Sequence, residues 1–96
     1  MHKLTSEQVQ KVLNELPGWS LNPAGEIAKT FRFRDFPQAL MFVMSVGWLA
    51  EAAQHHPDIT IQWNRVTLAL TTHDAGGLTD KDVALAKQVE ALLASE

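Results

Sequence analysis

A chain of 96 residues is the size of one domain with one core, so residues 1–96 are expected to form a single domain. Its net charge of −3 offers no basic surface to a nucleic-acid backbone, and zero cysteines exclude a disulfide framework, a thiolate metal site and a catalytic thiol. Apolar residues make up 46% and charged residues 20%, the balance of a soluble globular fold.

The N-terminal MHKLTSEQ has no apolar segment of signal length, which favours the cytoplasm. The first helix is expected to start at Thr5, with Gln8 at the capping-box position and Leu4 and Val9 as a hydrophobic staple. Val9, Val12, Leu13 and Leu16 then lie on one helical face, and Pro17-Gly18 ends it. Trp19-Ser20-Leu21 reads as a short extended segment and Asn22-Pro23-Ala24-Gly25 as a turn. Ile27, Phe31 and Phe33 share one parity and Thr30, Arg32 and Arg34 the other, the alternation of a half-buried antiparallel strand.

Asp35 can cap the next helix, with Pro37 in its first turn and Gln38 at the box position. This helix carries two apolar stripes. One is Phe36, Leu40, Val43, Gly47, Ala50 and Gln54; the other is Met41, Met44, Trp48 and Ala52. A helix apolar on two faces is buried on both. A single sheet covers only one, so the second stripe is expected at a subunit interface, with a ligand groove as the alternative. The longest apolar stretch, around Leu40 to Ala53, is broken by Ser45 and Glu51 and is expected to be too short to span a bilayer.

Pro57 ends this helix. Ile59, Ile61 and Trp63 alternate with Thr60 and Gln62; Asn64-Arg65 is expected to be a tight turn, and Val66, Leu68 and Leu70 alternate again, predicting a hairpin. Asp74 to Gly77 forms a loop. Thr79 caps the last helix with Asp82 three residues on, and Leu85, Ala86, Val89, Leu92 and Leu93 form its buried face. Short connections favour antiparallel pairing. The expected fold is α+β: two layers, a four-stranded antiparallel sheet with three helices on one face.

Half of the four histidines stand side by side in Glu51-Ala-Ala-Gln-His-His-Pro-Asp58. Glu51 and His55, four apart, can meet on a helix face. His56 is rotated by about 100° from His55 while the helix lasts, so both rings serve one target only if the helix breaks before Pro57. His73 lies at the end of the hairpin and Asp82 in the first turn of the last helix, so strand end, helix end and helix start can meet at one rim. Each residue also has an ordinary explanation. Histidines suit a helix C-terminus, Asp82 is a capping acid, and Trp19 and Trp63 suit a core or its rim.

Zinc chelation from a helix uses histidines at i and i+4, not i and i+1, so no metal site is expected. No serine occupies a strained nucleophile turn. General acid–base chemistry remains, because neutral and protonated imidazole coexist near neutral pH.

Taken together, Glu51-x3-His55-His56-Pro57-x5-Trp63-x9-His73-x8-Asp82 resembles the signature of the pterin-4a-carbinolamine dehydratase family. The flanks agree: LPGW at Leu16 to Trp19, FRFRDF at Phe31 to Phe36, and THDAGGLTDKD from Thr72 to Asp82. The resemblance covers nearly the whole chain. It implies elimination of water from a 4a-hydroxytetrahydropterin to give the quinonoid dihydropterin, recycling the pterin after aromatic amino acid hydroxylation, with no metal or organic cofactor. It implies acid–base roles for His55 and His73 and substrate orientation by His56. It places Glu51, Pro57, Trp19 and Asp82 among the substrate-binding residues. A functional link to an aromatic amino acid hydroxylase follows, with a homodimer or homotetramer built through helices and neither nucleic acid nor membrane as partner. Some members act instead as dimerisation partners of transcription factors, a coactivator-like role for which the Met41/Met44/Trp48 face is suited. Others handle pterins in other pathways or serve as assembly factors, and these often lose the first histidine, which this chain keeps. One departure stands out: mammalian-type members carry an aspartate where this chain has Gln54.

Overall fold

The computed structural model of the chain describes residues 2–94. Helix α1 (Ser6–Asn14) starts at the expected capping box: the Gln8 N–H donates to the Thr5 hydroxyl at 3.2 Å, and the Thr5 N–H donates to Gln8 Oε1 at 2.8 Å. Val9 and Leu16 are buried, and Val12 and Leu13 pack against the core. Strand β1 (Ser20–Leu21) follows, and the Asn22 side chain then closes the turn by accepting from the Ala24 and Glu26 N–H groups.

Strand β2 (Ile27–Arg32) leads to helix α2 (Phe36–Ala53), then come strands β3 (Asp58–Gln62) and β4 (Arg65–Leu70), and finally helix α3 (Asp80–Ala94). All pairings are antiparallel and the sheet order is β1-β2-β4-β3. The central strands β2 and β4 present Ile27, Phe31, Val66, Leu68 and Leu70 to the helices, all buried. Each such side chain contributes about 1.5–3 kcal/mol on burial. The opposite parity carries Thr30, Arg32, Arg65 and Thr67, and the Thr30 and Thr67 hydroxyls hydrogen-bond at 2.9 Å on that outer face. The sheet is therefore covered on one side only, as the alternation required.

Asp35 caps α2 by accepting the Gln38 N–H at 3.0 Å. The face it turns to the core differs from expectation. Ala39, Phe42, Val46 and Ala50 are buried, whereas Phe36 and Leu40, assigned above to the inward stripe, are each 43% exposed. Nearly every position of α2 is apolar, so no polar face orients it, and the choice falls to packing. Phe42 decides it: its ring lies 4.9 Å from both Phe31 and Phe33. The second stripe is uncovered, with Met41 and Trp48 each 70% exposed and Met44 64%. The helix starts where its cap predicted, four residues before the apolar stretch expected to be too short for a bilayer. Its 18 residues reach the length and apolar composition of a bilayer span, although one of its faces packs on the sheet and α3.

The hairpin turn is Trp63-Asn64, one residue earlier than expected. Trp63 adopts a left-handed backbone (φ 52°), a conformation its side chain does not favour and its sequence does not signal. Asn64 compensates by exchanging hydrogen bonds with Phe33 through backbone and side chain, at 2.8 and 2.9 Å.

Phe42→Ala is expected to cost about 3–5 kcal/mol in urea denaturation. At protein concentrations low enough to prevent self-association, Met44→Ala should cost less than about 0.5 kcal/mol. Equal costs would mean that the buried face of α2 is assigned wrongly.

Candidate active site

Helix α2 ends in a Schellman turn. The His55 N–H reaches back to the Ala50 carbonyl at 3.1 Å and the Gln54 N–H to the Glu51 carbonyl at 3.2 Å. The pivot is Gln54, left-handed at φ 54°, where glycine is usual. Its side chain offsets part of that strain, because Gln54 Nε2 donates to the Glu51 carbonyl at 2.9 Å. An aspartate here has no donor for that bond. The residue that departs from the mammalian-type pattern is thus built into the turn that aims both histidines.

Beyond the turn the two rings part. His55 swings inward and its Nε2 meets Asp82 Oδ1 at 2.6 Å; the His55 side chain is only 10% exposed and that of Asp82 is 0% exposed. His56 stays outside, its Nε2 2.7 Å from Glu51 Oε1, with both side chains well exposed. The partnership expected from helical spacing, Glu51 with His55, is therefore corrected to Glu51 with His56. The i,i+4 rule applies only within a helix, and the left-handed residue stops the helix before His55. Being exposed, the Glu51–His56 pair contributes little to stability.

Asp82 gathers three elements. Its Oδ2 accepts the Thr79 N–H at 2.9 Å, the expected capping interaction at the start of α3, and the Thr72 hydroxyl at 2.8 Å. The Thr72 and Thr79 hydroxyls meet at 2.8 Å, and the Lys81 N–H reaches the Thr79 hydroxyl at 3.3 Å. Strand exit, helix end and helix start thus converge on one carboxylate. Among the described residues no buried side-chain polar atom lacks a partner.

Sequence reasoning missed Thr72. Its signal was parity: Thr72 continues the buried series Val66, Leu68, Leu70, and a polar residue at an inward position needs a partner.

His73 follows Thr72 directly and opens a single 3₁₀ turn, His73–Ala75, with its side chain exposed. In that loop the Ala75, Gly76 and Gly77 N–H groups are spent on the carbonyls of Thr72 and His73, so those three are not free to read a ligand. Pro57 is half-buried beside the histidine pair. Trp19 lies elsewhere. It is buried, edge-on to Phe31, and its indole N–H donates to Glu90 at 3.0 Å. Glu90 stands eight residues beyond Asp82 on α3, a rise of about 12 Å. Trp63, 68% exposed at the hairpin turn, is not in the cluster either.

Three concavities, one of them of about 340 Å³ between α1 and the start of α3, are not lined by His55, His56 or His73. Another, of about 350 Å³, runs between Lys3–Val9, Leu21–Gly25 and Gly76–Leu78, and one of about 220 Å³ lies between α2 and the end of α3. Among the described residues no group of three or more His, Asp or Glu side chains is arranged to hold a metal.

Removing Asp82 leaves the Thr72 hydroxyl and the Thr79 N–H buried without their acceptor. Asp82→Ala is expected to cost about 1–3 kcal/mol or more in chemical denaturation, against less than about 0.5 kcal/mol for Glu51→Ala. At the pivot, Gln54→Val should lower stability by about 1–2 kcal/mol, since a β-branched residue resists the left-handed region. Full stability of Gln54→Val would show that the turn is not left-handed in solution.

Residues 2–92 match the family model described as pterin 4 alpha carbinolamine dehydratase. A relative from Chloroflexus aggregans, provisionally named a pterin-4-alpha-carbinolamine dehydratase, is 53% identical over 93 residues, covering 97% of this chain and 99% of its own. The crystal structure of a transcriptional coactivator/pterin dehydratase from Brucella melitensis superposes with a TM-score of 0.89 at 32% identity, over 94% of this chain and 97% of that one. A pterin dehydratase-like protein identified as a RuBisCO assembly factor in the alpha-carboxysome superposes at 0.66 with 25% identity, over 78% and 88%. The helix-capped antiparallel sheet, the motif running from Glu51 to Asp82 and these likenesses lead to one conclusion: the chain belongs to the pterin-4a-carbinolamine dehydratase family.

Proposed function

We propose that this protein is a hydro-lyase that eliminates water from a 4a-hydroxytetrahydropterin to give the quinonoid dihydropterin, with His55 and His73 as its acid–base groups. The observation that carries this is the environment of His55. An imidazole at a helix end is tied by its Nε2 to a buried carboxylate, and its side chain is only 10% exposed. The loop bearing His73 is fastened to the same carboxylate through Thr72. Two imidazoles carried on elements joined at one point suit a reaction that moves two protons.

Hydroxide is a poor leaving group and water a good one. One imidazolium delivers a proton to the 4a-hydroxyl as the C4a–O bond breaks. A neutral imidazole takes the proton from ring nitrogen N5, whose electron pair forms the new C=N bond. The proton gained and the proton lost balance, so no oxidant or metal is required. General acid–base assistance is worth about 10²–10⁴-fold, roughly 3–5 kcal/mol. His56, held by Glu51 at the exposed side of the turn, orients the substrate. In this role the enzyme regenerates the pterin for an aromatic amino acid hydroxylase.

The exposed stripe of α2 supports self-association. Phe36, Leu40, Met41, Met44 and Trp48 make an apolar surface that a monomer would leave in water. It is suited to a homodimer or homotetramer. A coactivator-like role, the activity named for the Brucella melitensis relative, would use the same face, and turnover by the purified protein separates that role from catalysis.

With synthetic 4a-hydroxytetrahydropterin in a stopped-flow assay, His55→Ala and His73→Ala should each lower kcat by about 10²–10⁴-fold. His56→Ala should chiefly raise KM. If the purified protein does not speed dehydration, the enzyme assignment fails. In sedimentation velocity, Trp48→Glu should convert an oligomer to smaller species; an unchanged profile would remove α2 from the interface.

A further inference from the structure

The proton positions around Asp82 follow from counting donors. A carboxylate only accepts. Asp82 Oδ2 already takes the Thr79 N–H and the Thr72 hydroxyl, so the proton of the third contact lies on the line between Oδ1 and His55 Nε2. A hydroxyl has one proton, and that of Thr72 is spent on Asp82. In the 2.8 Å contact between the two threonines, the Thr79 hydroxyl is therefore the donor. Thr79 in turn accepts from the Lys81 N–H, which as a backbone amide has only one direction. Every hydrogen bond in the chain from Lys81 to His55 thus has one allowed sense. At its end the neutral His55 ring carries its proton on Nε2 and its lone pair on Nδ1. No hydrogen bond to Nδ1 occurs among the described residues.

We propose that Thr72 is a positioning residue for the reaction: with Thr79 it orients Asp82 so that His55 is held as the Nε2–H tautomer and works on the pterin through Nδ1. The proposal rests on the assignment of His55 as an acid–base group. Thr72 touches neither His55 nor substrate and acts through Asp82. Without its hydroxyl, Asp82 Oδ2 loses a donor and can rotate, and the Thr79 hydroxyl loses its acceptor. The second tautomer, with Nδ1 protonated and useless as a base, then becomes populated. The position of Thr72, one residue before His73, means that the same hydroxyl also fixes the loop carrying the other acid–base group.

The test is long-range ¹H–¹⁵N NMR on the full chain with labelled histidine, together with steady-state kinetics. The wild type should show His55 as the Nε2–H tautomer, with the Nδ1 shift of an unprotonated ring nitrogen. Thr72→Val should bring in the Nδ1–H form and lower kcat by about 10–100-fold, the scale seen when a group orienting a metal-bound histidine is lost, with KM little changed. Thr72→Ser, which restores a hydroxyl, should recover both the tautomer and most of kcat. An Nδ1–H tautomer in the wild type overturns the proposal, whatever the variants do. A Thr72→Val protein with unchanged tautomer or unchanged kcat also overturns it, as does failure of Thr72→Ser to recover. The tautomer is read without turnover, so its failure is distinct from failure of the acid–base assignment of His55, which appears as an unchanged rate in His55→Ala, and from failure of the dehydratase assignment, which appears as no acceleration by the wild type.

Discussion

The structure depends on one buried carboxylate. Asp82 is fully enclosed, and it binds the start of α3, the exit of β4 and the end of α2 through three hydrogen bonds of 2.6–2.9 Å. Burying a carboxylate is costly unless its oxygens are satisfied. Here they are satisfied only when all three elements meet, so the arrangement that makes the carboxylate tolerable also sets where His55 and His73 stand. The polar cluster is a folding constraint and a candidate catalytic constraint at once.

Local backbone geometry delivers His55 to that point. Continued helix would have left His55 one turn above Glu51 on the solvent side. The left-handed Gln54 breaks the helix, sends His55 inward and leaves His56 outside with Glu51. A strained non-glycine residue between a core helix and a functional dipeptide fits the tendency of strain to collect at working sites. The strain is limited by the Gln54 amide, which caps the helix it terminates.

Much of this was legible in the sequence, where side-chain chemistry has one local solution. Thr5 with Gln8, Asp35 with Gln38 and Thr79 with Asp82 each announce a helix start, and the alternation in β2, β3 and β4 announces one covered sheet face. What was not legible is what long-range packing or an unsignalled backbone decides. The inward face of α2 is set by Phe42 meeting Phe31 and Phe33, and a helix apolar all round does not advertise it. The turn at Trp63 and the break at Gln54 both place an ordinary residue at positive φ. The motif named His55 and Asp82 as site residues, but their 2.6 Å contact spans 27 residues of chain and depends on the break. Trp19, which the resemblance placed among the substrate-binding residues, is buried with its indole N–H engaged by Glu90.

The central claim is that the pterin sits where the His55 and His73 elements join at Asp82. A crystal structure with a stable dihydropterin analogue tests it most directly. The ligand should lie with C4a and N5 between His55 Nδ1 and the His73 ring, with His56 at its edge. An analogue seated instead in the groove lined by Leu4, Val9, Leu21 and Gly25, which neither ring lines, would contradict it.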